Sequence, residues 1–179
     1  MSAVVAPGEV VAFWREAGPK RWFTTDAAFD AAFDRRFGEA HFAASRRELD
    51  GWAGTPEGGL ALLLLLDQFP RNVFRGTGHA YATDPLARHF AGAMVASGDD
   101  AKVERPLRMF CYLPFQHSEA IDDQERAVAL LKAMGEAKWA VHHRGIIRRF
   151  GRFPHRNAAL GRETTPEEQL FLDEDGFRG

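Results

Sequence analysis

Leu60-Ala61-Leu62-Leu63-Leu64-Leu65-Leu66-Asp67-Gln68-Phe69-Pro70 holds the longest apolar run of this 179-residue chain. Thr55-Pro56-Glu57 precedes it, an N-cap followed by proline at the first helical position, so the stretch predicts a helix over 56–69. A helix apolar nearly all round is buried, which makes this one the centre of the fold. The run Leu60 to Leu66 is far too short to span a bilayer. Asp67 and Gln68 form its polar end, and Pro70 is expected to stop it.

The surroundings are helical as well. The chain has 28 Ala and 15 Leu against 9 Val and 3 Ile, and no clean apolar–polar alternation. Straight-chain residues and alanine favour helix over strand, so the fold class is all-α. Upstream, a helix over 8–17 ends at Gly18-Pro19. Thr25 or Asp26 caps a second, in which Phe29, Phe33 and Phe37 stack on one stripe. Gly38 is expected to interrupt it, with residues 46–52 closing the segment. Downstream, Asp84-Pro85 starts a helix that Ser97-Gly98 ends, and Pro106 begins a short one that Pro114 terminates. Amphipathic helices follow over 122–134 and 136–150. Thr165-Pro166-Glu167-Glu168 fits a capping box for a last helix ending near Gly176. This gives about eight helices in a single domain, 1–179, with no linker long enough to divide it.

Composition bounds the function classes. Forty-five per cent hydrophobic and 27 per cent charged residues are ordinary for a globular chain. The single Cys111 makes neither an intramolecular disulfide nor a cysteine zinc cage, which fits a reducing compartment. Met1-Ser2-Ala3-Val4-Val5 lacks the basic flank and apolar core of an export signal, so a cytoplasmic location and no membrane association are expected. A net charge of −2 gives no global attraction to nucleic acid.

Two stretches echo each other. Gln68-Phe69-Pro70-Arg71-Asn72 leads to the helix start Thr83-Asp84-Pro85, and Arg152-Phe153-Pro154-His155-Arg156-Asn157 leads to Thr164-Thr165-Pro166. Each reads as a helix end, a Phe-Pro stop, an Arg-Asn pair and a newly capped helix. Arginine offers a planar five-donor fork and asparagine both donor and acceptor, so such loops suit an anion. The same residues also serve to satisfy carbonyls at a helix end. Between Ala137 and Arg162 there is no Asp or Glu, while Lys138, Arg144, Arg148, Arg149, Arg152, Arg156 and Arg162 give seven positive charges. That block creates a local field for anions, or else a solvated face paired with the acidic residues that follow.

A third cluster is Leu113-Pro114-Phe115-Gln116-His117-Ser118-Glu119. His117 and Glu119 have acid–base character, because imidazole titrates near neutral pH and a carboxylate tunes it. Their spacing matches neither a helical two-histidine zinc pattern nor the zinc deaminases, so no metal is assigned. His143 falls on an apolar helical face, where a hydrogen-bonded core histidine is the commoner case. No glycine-rich phosphate loop or dinucleotide fingerprint occurs, so no cofactor is expected. Phe150 and Phe153 alternate with arginines, but no RNA-module signature accompanies them, and nucleic acid is not expected as a partner.

The blocks 66–72, 113–119 and 149–157, together with Trp14, Trp22-Phe23 and Trp52, resemble those of the bacterial family known as domain of unknown function 924. The resemblance covers nearly the whole chain. It implies a tetratricopeptide-like fold of antiparallel helix hairpins and brings no activity with it. Gln116 departs from the apolar residue, often Met, expected there. The residues that the resemblance matches to the family's motifs are Asp67, Arg71, Asn72, His117, Glu119, His143, Arg152, His155, Arg156 and Asn157.

These readings combine into one leading expectation. A small anionic, phosphate- or carboxylate-bearing ligand sits in an Arg/His/Asn-lined cleft, with hydrolysis or group transfer as the reaction class if the protein is an enzyme. Asp67, Arg71, Asn72, Arg152, Arg156 and Asn157 are the candidate ligand-binding residues. His117, Glu119, His143 and His155 are the acid–base candidates. The alternative is a non-enzymatic helical module that binds a protein partner.

Overall fold

The computed structural model describes residues 5–175; among them every regular element is helical and no strand forms. Residues 1–4 and the helix end expected near Gly176 lie outside the described residues. Contacts divide the chain into two compact units, one running to Arg75 and including His79–Pro114, the other made of Gly76–Gly78 and the chain from Phe115 on.

In the first unit, α1 (Pro7–Ala17) and the single turn α2 (Pro19–Trp22) precede α3 (Ala27–Ser45). Asp26 caps α3 by accepting the amides of Ala28 and Phe29. Phe33 and Phe37 are fully buried on its inner stripe, packed with Phe13 and Trp14 of α1. Contrary to the expected interruption, α3 runs straight through Gly38. A lone glycine costs a helix only about 1 kcal/mol, which the buried phenylalanine stripe outweighs. The chain turns instead at Arg47, whose φ is 66°, and a 3₁₀ turn over Asp50–Gly54 leads to α4 (Pro56–Leu63), capped by Thr55.

The central apolar segment is buried as expected, but it does not stop at Pro70. It widens into a π-helical turn over Leu64–Gln68 and continues as α5 (Phe69–Val73). The Phe69 amide reaches back to the Leu64 carbonyl, one residue beyond α-helical register. The Leu65 carbonyl is then offered Pro70, which has no N–H. His41 Nδ1 takes its place at 2.8 Å. A carbonyl only accepts, so Nδ1 carries the proton. The Leu66 carbonyl, whose α-helical donor would again be residue 70, accepts instead from the Thr83 hydroxyl at 2.5 Å. Arg71 Nη1 donates to the Asp67 carbonyl at 2.9 Å. Three side chains thus satisfy the carbonyls around the proline, and the helix survives it.

The unit is completed by α6 (Asp84–Ser97), closed by Gly98 in the left-handed region, and the short α7 (Arg105–Arg108). Pro114 lies inside a further turn, α8 (Leu113–Gln116), rather than ending one. Proline is tolerated there because first-turn amides have no helical partner anyway.

In the second unit, α9 (Ile121–Met134) and α10 (Ala137–Phe150) pack as an antiparallel hairpin, joined through Gly135 and Glu136. Gly151, at φ 69°, ends α10. Ile146, Ile147, Phe153 and Phe171 form a buried apolar cluster in this unit. The 3₁₀ turn Pro154–Arg156 precedes α11 (Pro166–Asp175). The capping box there is formed: the Thr165 amide donates to Glu168 and the Glu168 amide to the Thr165 hydroxyl.

Candidate functional site

Asp67, Arg71 and Asn72 lie in the first unit, on the π turn and α5. His117, Glu119, His143, Arg152, His155, Arg156 and Asn157 lie in the second.

In the first unit, Arg71 forks Asp84 at 2.7 and 2.9 Å and sits 3.1 Å from Asp67. Both carboxylates are buried. Burial works against the arginine's charge, but Asp67 and Asp84 more than reverse it and raise its pKa. Asn72 donates to Asp30 at 2.8 Å, and Gln68 to Asp67 at 2.6 Å. The fork that could grip an anion here already grips the protein's own carboxylates.

The second unit assembles its candidates around one ring. Phe153 is fully buried just past the α10 terminus. His143 lies 5.5 Å from it edge-on, His155 lies 5.6 Å away, and the Arg156 guanidinium stands 4.5 Å over its face. Arg156 also donates to the His117 carbonyl at 2.9 Å, and the His117 ring is 6.3 Å from that of His143. Residues some forty positions apart therefore meet because α10 ends at Gly151 and the chain doubles back.

The loop carrying His117 is clamped from beneath. Gln124, fully buried on α9, donates its side-chain amide to the carbonyls of Gln116 and Ser118, both at 2.6 Å. Glu119 accepts from the Phe153 amide at 2.8 Å and from both ends of the Arg162 fork at 2.8 and 3.0 Å. Burial would raise its pKa, but these donors overcome it and hold the carboxyl below its ordinary value. Glu119 is therefore an ionised tether, not a proton donor near neutral pH.

His143 donates Nδ1–H to the Trp139 carbonyl at 2.8 Å, one turn back along α10. Burial, reinforced by the neighbouring His117, drives its pKa down to about 3, with His142 and Arg156 contributing in the same direction. It is neutral at physiological pH.

Arg152 forks Glu168 at 2.6 and 2.9 Å, and Asn157 donates to the same carboxylate at 3.2 Å. Glu168 is held near 2 chiefly by the Arg152 hydrogen bonds. A cleft of about 450 Å³ opens beside them, lined by Arg152, Arg162, Glu163, Thr164, Thr165 and Pro166. Its two arginines face it with their forks already on Glu168 and Glu119. Much of the basic block is matched in the same way: Arg144 and Arg148 pair with Glu125, and Arg149 with Glu167.

The sequence reading missed Arg162 and Gln124, which fix the His117 loop, and Asp84, Thr83 and His41, which hold the π turn. Asp84 and Thr83 were legible only as a helix start. Glu168 was visible as the capping-box residue, but its pairing with Arg152 and Asn157 was not. Among the described residues, no group of three or more histidine, cysteine, aspartate or glutamate side chains is placed to hold a metal ion.

The sequence matches the family described as "Bacterial protein of unknown function (DUF924)" over residues 10–176. Among solved structures, the chain is similar to a protein of unknown function from Agrobacterium tumefaciens, ATU0120. The two are 57% identical, with a TM-score of 0.92 over 94% of this chain and 97% of that one. No curated protein sequence matches the chain.

Proposed function

The chain belongs to the bacterial DUF924 family, whose function is unknown, and from its geometry we propose that it binds a small anionic molecule, bearing phosphate or carboxylate, at the Arg156–histidine cluster of the second unit. The observation that carries this reading is the convergence of His143, His155 and Arg156 on Phe153, with His117 beside them. Arg156 is oriented by the ring face and by the His117 carbonyl. A guanidinium held in place binds oxyanions through charge-assisted hydrogen bonds, and imidazole N–H groups add neutral donors. On this reading Arg71, Asp67, Asn72, Arg152, Asn157 and Glu119 are structural, and His117 and His155 are the residues able to move protons if a reaction follows.

Inorganic phosphate and a dicarboxylate, titrated while the histidine ring resonances are followed by NMR, test the proposal. Saturable shifts confined to His117, His143 and His155 are expected. Arg156→Ala should weaken binding at least tenfold, about 1.4 kcal/mol, and Arg156→Lys should fall between. Unsaturable shifts, or an Arg156→Ala protein that is folded and binds equally well, would refute it.

A second reading, a tetratricopeptide-like module for a protein segment, draws support from exposed apolar side chains of the second unit, Val141, Leu160 and Leu170. Among the described residues, no helix is long and apolar enough to cross a membrane, and we place the protein in the cytoplasm as part of the proposal.

A further inference from the structure

Gly38 in α3 and Gly59 in α4 are glycines for reasons inside the chain: a Cβ would meet Asp34 Oδ1 at 2.9 Å in the first case and Met94 Sδ at 2.7 Å in the second. Gly145 has no such reason. It stands in the middle of α10 with a helical backbone, and a Cβ there would meet nothing within 4 Å among the described residues. Glycine costs a helix about 1 kcal/mol relative to alanine, and no contact within the unit offsets it. Gly145 is exposed, and Lys138, Val141 and Arg148, at i−7, i−4 and i+3, share its side of the helix and are exposed too. Val141 is 45% exposed and the flanking Trp139 57%. An apolar stripe notched by a glycine, with a cation at each end, is thus left open on α10. The same unit carries a counterpart on α11, where Leu170, 52% exposed, lies between Glu167 and Glu174 on one side of the helix.

We propose that α11 of a second copy of this chain docks antiparallel on α10, with Leu170 over Gly145 and beside Val141, Glu174 at Lys138 and Glu167 at Arg148. The rise of a helix puts Lys138 and Arg148 about 15 Å apart and Glu167 and Glu174 about 10 Å apart, a difference that the long basic side chains span. With no side chain at Gly145, a partner backbone approaches closely there. Packing α10 on a second α10 would set Lys138 and Arg148 against like charges, so charge complementarity selects α11. Arg148 and Glu167 already pair within their own chain, with Glu125 and Arg149. The Lys138–Glu174 pair and the Leu170 contact are therefore what association adds. Each copy carries both stripes, so a two-fold pair makes the contact twice. The inference is independent of the anion-binding reading.

Sedimentation equilibrium of the full chain, from about 1 µM to about 1 mM, spans the affinities expected of a small interface, and reversible association is the expected result. Lys138→Glu puts an acid in the first turn of α10, and Glu174→Lys puts a base in the last turn of α11. The helix dipole favours both changes, so the fold survives them. Each variant alone should associate more weakly by about tenfold or more. Mixing the two variants, or joining both changes in one chain, should restore association, because each new acid then faces a new base. Gly145→Gln should raise the melting temperature through helix propensity and yet weaken association by about tenfold or more, as should Leu170→Ser. Assemblies larger than a pair that obey the same charge swap would support the contact and show that it does not close on itself. A chain that stays monomeric to about 1 mM, an association that neither swap weakens or that mixing fails to restore, or one indifferent to Gly145→Gln would overturn the inference.

Discussion

Phe69-Pro70-Arg71-Asn72 in the first unit and Phe153-Pro154-His155-Arg156-Asn157 in the second are nearly the same words in different grammar. The first runs inside a continuous helical segment; the second follows a chain reversal and forms a single 3₁₀ turn. What differs is upstream. Before Phe153 stands Gly151, which adopts the left-handed conformation that terminates α10 at little cost. Before Phe69 there is no glycine, but a run of buried leucines whose apolar contacts would be lost if the helix broke. That helix widens by one residue instead, and His41 and Thr83 donate to the Leu65 and Leu66 carbonyls that Pro70 cannot serve. At Pro70 the helix continues because other donors satisfy the carbonyls that the proline leaves behind.

The arginines part in the same way. Arg71 is locked between two buried carboxylates, and Arg156 donates to the His117 carbonyl and lies over the Phe153 ring. Arg71→Ala strands Asp67 and Asp84 in the interior, and removing one partner of a buried ion pair costs about 3–5 kcal/mol. Arg156→Ala forfeits at least the charged hydrogen bond to the His117 carbonyl and the cation–ring contact with Phe153, together about 2 kcal/mol. Urea unfolding of both variants checks the ranking. Equal losses would mean that the two arginines do the same job.

Acid separates the two regions again. The folded-state pKa of His143 is depressed, so the native protein favours the neutral ring. Its contribution is complete above the unfolded value, near 6.5, and is lost as pH falls from there towards about 3. Between pH 7 and pH 5 this amounts to about 2 kcal/mol. Replacing His143 with Gln should flatten the stability curve across that window by a similar amount, measured by unfolding at several pH values. An unchanged slope would show that another group governs the acid response. His41 in the first unit is also depressed, chiefly by burial, so some slope should remain in the His143 variant.

These comparisons show what the sequence could and could not convey. Helix identity was legible at several local signals: Asp26 and Thr55 as caps, Gly98 as a stop, the Thr165–Glu168 box. The all-α fold followed from the same signals and from composition. Pro70 misled because its rescue comes from His41 and Thr83, residues distant along the chain, and no local pattern encodes them. The candidate residues of the second unit were legible as residue types, since His117, His143, His155 and Arg156 do gather around Phe153. Their charge balance was not. The arginine-rich block reads as a positive patch until its partners Glu119, Glu125, Glu167 and Glu168 are seen in place.

The rescue of Pro70 can itself be isolated. If Thr83 stands in for the missing amide at position 70, its value depends on that residue's being proline. Thr83→Val keeps the shape and removes the hydroxyl, leaving the buried Leu66 carbonyl without this donor, at a cost of about 1.5 kcal/mol. Pro70→Ala returns an N–H to the segment and allows α-helical register back to Leu66. In that background Thr83→Val should cost about 0.5 kcal/mol, because the restored amide now serves the same carbonyl. The coupling of roughly 1 kcal/mol in this double-mutant cycle is the quantity to measure. Additive losses would show that Thr83 stabilises the segment by some route unrelated to the proline, and the difference between the two Phe-Pro segments would then rest on Gly151 alone.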